Sequence, residues 1–290
     1  MQKSLLRTLR RALAATPMGN RRYIRYKLRV QGKTMNRSRS IILSALVVIC
    51  ALAVASSAFG GAMVRVGPLV IRADGEFTPR ELPQHTYVPI RFQGHADIKM
   101  TNSKPPPALR RAVLDFDRDG RLTTGGLAVC SPDEIAGTTP EEARQRCKAA
   151  IIGTGHVAAV IALPDRERFR VESPLTLFNG PRQDGNVTVV SHAQVTAPIV
   201  ETYVVVVPIE RRSGYFSYRA TIDIPSIAGG YGALTHIDGK LGKRYRYGGK
   251  ARSYTSARCS DGILLTHGLL SFADGNVISG DLFKPCNAIG

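Results

Sequence analysis

Apolar and polar residues alternate along most of the chain beyond residue 62. In the segment FSYRATIDI, apolar side chains occupy every second position and polar side chains fill most positions between them. The apolar positions are Phe216, Tyr218, Ala220, Ile222 and Ile224. A period of two is typical of a half-buried β-strand. RFRVES (168–173) alternates in the same way, whereas TYVVVVPI (202–209) is a nearly continuous β-branched run, typical of a strand covered on both faces.

Turn motifs separate these segments. LPDRER, NGPRQDGN, RRSG, YGGK and ADGN all lie between runs with strand character. Many short strands punctuated in this way favour an all-β fold, either an antiparallel β-sandwich or a barrel. Because no break divides residues 63–290, the sequence predicts a single β domain over that range.

One short helix is predicted within this β-rich region. The segment TTPEEARQRCKA (138–149) places Thr139 at the N-cap, Pro140 at the first helical position and Glu142 three residues after the cap. This combination is a capping box, with proline where its missing N–H is tolerated. The helix is expected to end at about Ala149.

The N-terminal part has the plan of an export signal. Residues 35–58 comprise a short basic n-region, an apolar h-region (41–55) and the small residues SSA at 56–58. Residues 1–34 form a basic leader that is long for an n-region. We therefore expect a mis-assigned start, with Met35 as the true first residue.

An uncleaved membrane anchor is the alternative to a cleaved signal peptide. Between Arg39 and Arg65 there are 25 residues without a charge, which is long enough to span a bilayer. The small residues before residue 59 favour cleavage. Both alternatives predict that residues 63–290 are exported, to the medium or the cell surface, and that only the N-terminal segment contacts a membrane.

The net charge of the chain comes mainly from the leader. Residues 1–58 hold 12 of the 40 lysines and arginines and none of the 22 acidic residues. The rest of the chain has 28 basic residues against 22 acidic ones, a net charge of +6. This small excess does not indicate binding to nucleic acid.

Four cysteines follow the leader. An even number of cysteines in an exported chain predicts two disulfides. The expected turns and the short helix bring Cys130 close to Cys147, and Cys259 close to Cys286. Zinc binding is the alternative, but it has no CxxC spacing to support it.

The stretch LDFDRDGRLTTGGLAVC (114–130) carries Asp115, Asp117 and Asp119 at alternate positions. These residues resemble the start of a calcium-binding loop, but the twelfth position, which should supply a bidentate acid, is a glycine. Residues 270–286 (LSFADGNVISGDLFKPC) share the same frame and lack most of the acids. We therefore interpret both stretches as β-hairpins with Asp-Gly turns, and expect no metal site. Weak calcium binding by the three aspartates is the alternative.

No motif predicts a cofactor or a catalytic residue. Gly153, Gly155 and Ala158 match one variant of the dinucleotide-binding fingerprint, but the required strand–turn–helix context is missing. The six histidines show no HxH or HxxxH spacing, and no GxSxG elbow occurs. A catalytic site could form only from residues on distant strands, so the catalytic residues stay unknown.

The segment GKLGKRYRYGGKARSYTSAR (239–258) contains seven lysines or arginines and no acid. A two-residue turn at the glycine pair would place Tyr247 opposite Lys250, Tyr245 opposite Arg252 and Lys243 opposite Tyr254. Charged runs of this kind are more often solvated surface, here a hairpin stiffened by cation–π contacts. The functional alternative is a binding strip for an anionic polymer. Its candidate contact residues are Lys243, Arg244, Arg246, Lys250 and Arg252.

The motif GKARSYTSARC (249–259), the FADG hairpin with its final Cys286, and the 114–130 stretch followed by a helix with a second cysteine resemble an exported β-rich family. That family is known from predicted proteins of high-GC Gram-positive bacteria and has no established activity. The resemblance covers approximately residues 85–287 and implies a β-rich exported fold, without implying a function.

Three hypotheses follow. We favour an exported, non-catalytic surface or envelope domain that binds an acidic polysaccharide or cell-wall polymer and needs no cofactor. The alternatives are a secreted hydrolase with a site assembled from distant strands, and a purely structural secreted module. A polar pocket holding a histidine with a carboxylate would favour the enzyme, whereas a flat basic face would favour binding.

Overall fold

The computed structural model describes residues 61–290, all of which belong to one compact unit. The basic leader at 1–34 and the export segment at 35–58 lie outside the described residues, and the expectations for them stay predictions. Within 61–290, no helix is long and apolar enough to cross a membrane.

The described part of the chain is built mainly from β-strands. They are β1 (Ala62–Val66), β2 (Leu69–Thr78), β3 (Glu81–Pro83), β4 (Val88–Pro89), β5 (Arg91–Met100), β6 (Leu109–Asp117), β7 (Gly120–Leu122), β8 (Ile151–Ile161), β9 (Phe169–Asn179), β10 (Val187–Val195), β11 (Glu201–Arg211), β12 (Phe216–Asp223), β13 (Gly232–Leu241), β14 (Arg244–Tyr247), β15 (Lys250–Ser253), β16 (Thr255–Ala257), β17 (Ile263–Phe272), β18 (Val277–Pro285) and β19 (Asn287–Ile289).

Twelve of these strands form one antiparallel sheet. Their order is β1-β2-β5-β13-β8-β9-β10-β11-β12-β6-β17-β18. The sheet curves until its first and last strands meet: a side chain at Gly280 of β18 would come within 3.2 Å of Val64 Cγ2 on β1. The predicted all-β antiparallel fold is confirmed. Of the two architectures left open, the nearly closed single sheet corresponds to the barrel.

Alternation along the strands separates an inner face from an outer face. On β12, Tyr218 and Ala220 are buried and pack inward with Val207 and Ile209 of β11. This agrees with the alternation in FSYRATIDI. On the opposite side of the sheet, Ile71 of β2 packs with other inward residues of its neighbouring strands. The apolar positions of the sequence therefore point into the closed side of the sheet.

Two short helices cover part of the outer face. Helix α1 (Pro132–Ile135) and helix α2 (Pro140–Arg146) pack Ile135 and Ala143 against Phe178 of β9 and nearby residues of β10. In α2 the cap is as predicted, because the Thr139 N–H donates to Glu142 Oε2 at 2.8 Å.

The predicted helix is real but ends earlier than expected. α2 stops at Arg146, and a 3₁₀ turn follows at Lys148–Ala150. Helix α1 was not predicted, although Ser131 and Glu134 repeat the capping-box pattern and the Ser131 N–H donates to Glu134 Oε2 at 2.6 Å. At four residues, α1 is too short for its apolar period to be visible.

The two stretches with a shared sequence frame differ in structure. Residues 270–286 form the predicted hairpin, in which Ser271 pairs with Val277 and Gly275 adopts a φ of 86° at the turn. The 114–130 stretch is not a hairpin, so that prediction is wrong. β7 leaves β6 after the turn and pairs with β16 in a small three-stranded sheet with β4. Both sides of β6 are already occupied by β12 and β17, so β7 has no free edge there.

Both predicted disulfides are confirmed. Cys130 bonds Cys147 with a Cα–Cα distance of 5.5 Å, and Cys259 bonds Cys286 with a Cα–Cα distance of 6.0 Å. The first closes the segment that carries both helices, and the second ties the end of β18 to the segment before β17. Two disulfides indicate an oxidising environment outside the cytoplasm.

The stability of the domain should depend on both disulfides. Replacing Cys130 and Cys147 together by serine removes a cross-link between residues 17 positions apart, and should lower the free energy of unfolding by about 3 kcal/mol. The loss is measured by urea denaturation at equilibrium. The same change at Cys259 and Cys286, which are 27 positions apart, should cost about 0.4 kcal/mol more. Unfolding midpoints unchanged by either pair of substitutions would contradict this account.

Candidate functional site

The basic hairpin forms in the predicted register. β14 pairs with β15 so that Tyr247 lies opposite Lys250 and Tyr245 opposite Arg252. The turn is Gly248-Gly249, with φ values of 58° and 74°. Two successive positive φ angles define a type I′ turn, whose twist matches that of antiparallel strands and which glycine adopts without strain.

Tyrosine side chains fix this hairpin to the rest of the domain. The Tyr245 hydroxyl lies 3.0 Å from the carbonyl oxygen of Gly125 and 3.3 Å from that of Thr123, so it can donate to this loop. The Tyr247 ring lies directly over Gly126, where any Cβ would approach the ring to 2.2 Å. The hairpin is therefore seated on the loop at 123–126.

The base of the hairpin differs from the alternating face that the sequence suggested. Lys243 lies opposite Tyr254, as predicted, and the Tyr254 N–H donates to the Lys243 carbonyl at 2.8 Å. Tyr254, however, is only 1 % exposed and belongs to the core. Lys243 donates from Nζ to the carbonyl of Ala149, and burial lowers the pKa of its ammonium group. Lys243 is therefore the least available of the five candidate contact residues.

The other four candidates are free to meet a ligand. Arg244, Arg246, Lys250 and Arg252 are exposed. None of them forms an ion pair with any residue of 61–290. Arg246 donates to the Gly249 carbonyl at 3.2 Å, within the hairpin itself.

Cation–π contacts do not account for the hairpin. In the described part of the chain, such contacts pair arginines with tyrosines at other places: Arg118 with Tyr215, Arg121 and Arg258 with Tyr87, and Arg211 with Tyr218. The tyrosines of the hairpin instead face the loop beneath it. Its cations are thus positioned by the backbone register and, for Arg246, by the hydrogen bond to the Gly249 carbonyl.

The acidic stretch uses its carboxylates within the protein. Asp115 accepts two hydrogen bonds from Arg219 on β12, at 2.7 Å from Nε and 2.8 Å from Nη2. The hydrogen bonds from Arg219 hold the pKa of Asp115 below its ordinary value. This fork-to-fork geometry is the strongest form of an arginine–carboxylate pair.

Asp119 and Asp117 brace the turn after β6. Asp119 is fully buried and accepts hydrogen bonds from Arg258 Nε at 2.8 Å and from the Ser260 N–H at 2.6 Å. Burial opposes ionisation of Asp119, but the hydrogen bonds from Ser260 and Arg258 bring its pKa below the ordinary value. Asp117 accepts from the backbone N–H groups of Asp119 and Leu265, both at 2.8 Å, while burial raises its pKa.

These contacts do not assemble a calcium site. In 61–290, a single group of three potential metal-ligand atoms lies close together, at Cys130, Glu134 and Cys147. The two cysteine sulfurs of that group are joined in a disulfide and cannot act as thiolate ligands. Each of the three aspartates instead accepts hydrogen bonds from the protein: Asp115 from Arg219, Asp117 from backbone N–H groups, and Asp119 from Arg258 and a backbone N–H group.

A histidine with two carboxylates lies on the outer face of the sheet, where sequence reasoning had not placed a site. His236 Nδ1 is 3.0 Å from Asp97 Oδ1, and Nε2 is 3.4 Å from Asp238 Oδ2. Because Asp97 is 139 residues away in sequence, no local spacing could have revealed the contact. The cluster borders a polar cavity of about 690 Å³. Other charged or ionisable residues that line this cavity are Asp74, Glu76, Arg80, His95, Lys240 and Lys284.

Both ring nitrogens of His236 face carboxylates. An imidazole acting as a general base needs a nitrogen directed at the group that it deprotonates. Among the described residues, no hydroxyl or thiol group hydrogen-bonds to His236. Among the described residues, the arrangement therefore lacks the nucleophile of an acyl-transfer site.

The ion pair between Asp115 and Arg219 should appear in the pH dependence of stability. Because the folded-state pKa of Asp115 is lowered, its contribution is present above the unfolded value of about 3.9 and is lost as the pH falls through the folded value. Asp115→Asn should lower the free energy of unfolding by about 1–2 kcal/mol at pH 7, and by less at pH 3.

The measurement is urea denaturation at both pH values. Asp223→Asn is the control, because it breaks the exposed pair with Arg111 and should change stability by less than about 0.5 kcal/mol. A loss for Asp115→Asn that is as large at pH 3 as at pH 7 would refute the electrostatic origin.

Calcium should not change the melting temperature of the protein. A site filled at a hundred times its dissociation constant would stabilise the fold by about 2.7 kcal/mol, which is readily detected as a rise in melting temperature. With the three aspartates engaged by protein donors, we expect no rise on adding millimolar calcium. A rise that disappears in Asp117→Ala would restore the calcium hypothesis.

Comparisons with known proteins give no family for this chain: no family model matches it, and neither the curated proteins nor the solved structures include a significant match. The resemblance to an exported β-rich family therefore stays a prediction.

Proposed function

We propose that this chain is an exported, non-catalytic surface or envelope domain that binds an anionic polymer, an acidic polysaccharide or cell-wall polymer, through its basic hairpin. One observation carries the proposal. Four exposed cations stand on a hairpin seated on the domain, and they have no carboxylate partner among the described residues.

Two other arginines of the domain behave differently. Arg219 and Arg258 are paired with Asp115 and Asp119, so their charges are neutralised inside the protein. Arg244 and Arg246 on β14 have no such partner, and they attract anions from solution. The contrast supports a role for the hairpin outside the fold, because none of its four cations stabilises the domain through an ion pair.

The spacing of the cations suits a polymer better than a single small anion. Arg244 and Arg246 lie two residues apart on one strand, so their Cα atoms are about 7 Å apart. Lys250 and Arg252 repeat that spacing on the paired strand. The register places Arg244 and Arg246 on one face of the hairpin and Lys250 and Arg252 on the other, so a chain with repeated negative charges can meet two cations on either face. A hairpin already held in place loses little conformational freedom on binding.

Export is part of the proposal. The disulfides indicate an oxidising compartment, and the 35–58 segment has the plan of a signal peptide or anchor. A polymer of the cell surface would be the anionic partner that such a domain meets first.

A secreted hydrolase is the second candidate, and one observation favours it. His236 lies between Asp97 and Asp238 beside the polar cavity. The commitment of both ring nitrogens to carboxylates, without a nucleophile in contact, gives it less support than the hairpin gives to binding.

The binding proposal is tested by retention on a dextran sulfate column. Residues 57–290 are used, so that the 12 basic residues of the leader do not contribute. The wild type should be retained at low salt and should elute as the salt concentration rises, because salt screens the attraction between its cations and the polymer. Changing Arg244, Arg246, Lys250 and Arg252 to serine should abolish retention even at low salt. Near-UV circular dichroism and the melting temperature check that the fold is intact.

A matched variant separates the hairpin from net charge. Arg72, Lys99, Lys104 and Arg166 are exposed cations on other parts of the domain, and their change to serine removes the same charge. This control should be retained nearly as strongly as the wild type. Equal loss of retention in both variants would show that retention depends on net charge alone. If the wild type is not retained, the binding proposal is wrong and a purely structural module is the remaining interpretation. Release of shortened dextran sulfate chains from the column would support the hydrolase.

A further inference from the structure

The closed side of the sheet contains a large apolar cavity. Its volume is about 380 Å³, and its lining includes residues from eleven of the twelve strands of the main sheet. Representative lining side chains are Phe92, Phe116, Leu177, Val207, Ile237 and Leu282. Since these come from opposite sides of the sheet, the cavity is the interior of the fold and not a surface groove.

A cavity of this size is unusual in a folded domain. Protein interiors are packed like organic crystals, with few voids larger than a water molecule. Several inward side chains, such as Leu114, Phe116 and Leu177, are only partly buried. The cavity could contain about a dozen waters at roughly 30 Å³ each, but each would need two to four polar partners that an apolar wall does not supply. Apolar atoms suit this space better than water does.

Glycines on the inner face keep the cavity open. At Gly239 of β13, a Cβ would meet only Leu177 Cδ1, at 3.9 Å, and at Gly268 of β17 its nearest contact would be Leu114 Cδ2, at 3.6 Å. Neither glycine has a positive φ, so the backbone does not require glycine at either position. Larger side chains could be accommodated there only by occupying the cavity.

A buried hydroxyl at one end of this space has no hydrogen-bond partner. A smaller apolar cavity of about 150 Å³ shares Phe92, Phe116 and Leu282 with the large one, and its lining includes Tyr254. Tyr254 is 1 % exposed, and its hydroxyl oxygen makes no hydrogen bond to the described residues. Leaving a buried hydroxyl unsatisfied is unfavourable, so an oxygen acceptor brought by a ligand would stabilise it.

We propose that the interior of the sheet binds a neutral lipid-like molecule, with an apolar chain in the large cavity and an uncharged oxygen accepting a hydrogen bond from the Tyr254 hydroxyl. The interior excludes a charged head group. A carboxylate would lose its hydration there, and the two cations that line the smaller cavity are engaged elsewhere: Lys284 pairs with Asp74, and the Arg121 guanidinium lies over the ring of Tyr87. This site is separate from the basic hairpin, and the proposal does not depend on the polymer function.

The seam of the sheet offers an entrance. β1 pairs only with the first half of β2, so the second half, from Asp74 onward, has no paired strand on that side within the described residues. Lys284 reaches across this gap to Asp74. A slender apolar chain could pass between β2 and β18 without breaking the hydrogen bonds of the sheet.

The test uses N-phenyl-1-naphthylamine, a neutral probe whose fluorescence rises in an apolar site, with protein of residues 57–290. The wild type should bind the probe, and Gly239→Leu and Gly268→Leu, which fill the cavity, should each weaken binding at least tenfold. Thr221→Leu is the matched control, because Thr221 lies on the outward face of β12 and should bind like the wild type. Urea denaturation checks that each variant folds. If only one of the two cavity-filling variants folds, that variant alone is sufficient to test the proposal.

Several outcomes would overturn the proposal. No binding by the wild type, or equal binding by the filled variants, would show that the interior is not a ligand site. Competition sets the ligand class: 1-dodecanol should displace the probe at least tenfold more effectively than dodecanoate at pH 8, and the reverse order would refute a neutral ligand. The variant with all four hairpin cations changed to serine should bind the probe like the wild type. Loss of probe binding in that variant would contradict the claim that the interior site and the hairpin are separate.

The role of Tyr254 has its own test. Tyr254→Phe removes the unsatisfied hydroxyl, so the ligand-free variant should melt at a higher temperature than the wild type. Its affinity for the probe should be unchanged, while its affinity for 1-dodecanol should fall about tenfold. Unchanged affinity for 1-dodecanol would show that the hydroxyl does not contact the ligand.

Discussion

The near closure of a single twelve-stranded antiparallel sheet is the constraint on which the rest of the structure depends. When β1 approaches β18, the alternation of each strand becomes a division between an enclosed face and an outer one. The interior of a closed sheet widens with the number of strands. With twelve strands, the inward side chains line the interior without filling it, so the same constraint that buries the apolar residues also creates a cavity.

The charged clusters of the domain therefore lie mainly on the outside. The helical segment with its disulfide covers part of the outer face, and His236 and its carboxylates lie on another part. The basic hairpin forms a two-stranded sheet of its own. The acidic stretch secures the turn between β6 and β7 through Arg258 and backbone amides. The proposed polymer site and the proposed lipid-like site can thus coexist, because one lies on a hairpin outside the main sheet, the other lies in the interior, and they share no side chain.

Local patterns predicted the local structure well. The alternation in FSYRATIDI, the capping box at Thr139 and the glycine pair in the basic hairpin each depend on neighbours within a few residues, and each forms as expected. The disulfide pairing was also accessible, because short connections bring those cysteines together.

Helix α1 and the end of α2 were missed because they are short, whereas the other failures involve partners distant in sequence. The 114–130 stretch resembles a hairpin in its residues, yet Asp119 bonds Arg258, 139 positions away, and β7 pairs with β16. The contact between Asp97 and His236 spans the same distance. The cavity could not be predicted from the sequence. A leucine that lines a cavity and a leucine that packs in a filled core are the same residue type, so the pattern of apolar positions is the same in both cases.

The most direct measurement of the central claim is methyl NMR of the ¹³C-labelled domain under xenon pressure, since xenon enters dry apolar cavities. The account predicts pressure-dependent shifts of the methyl groups of Leu177, Ile237 and Leu282, which line the cavity from different strands. The methyls of Val113, on the outward face of β6, should not respond. Shifts absent from the inward methyls would show that the interior is packed, and would contradict the account.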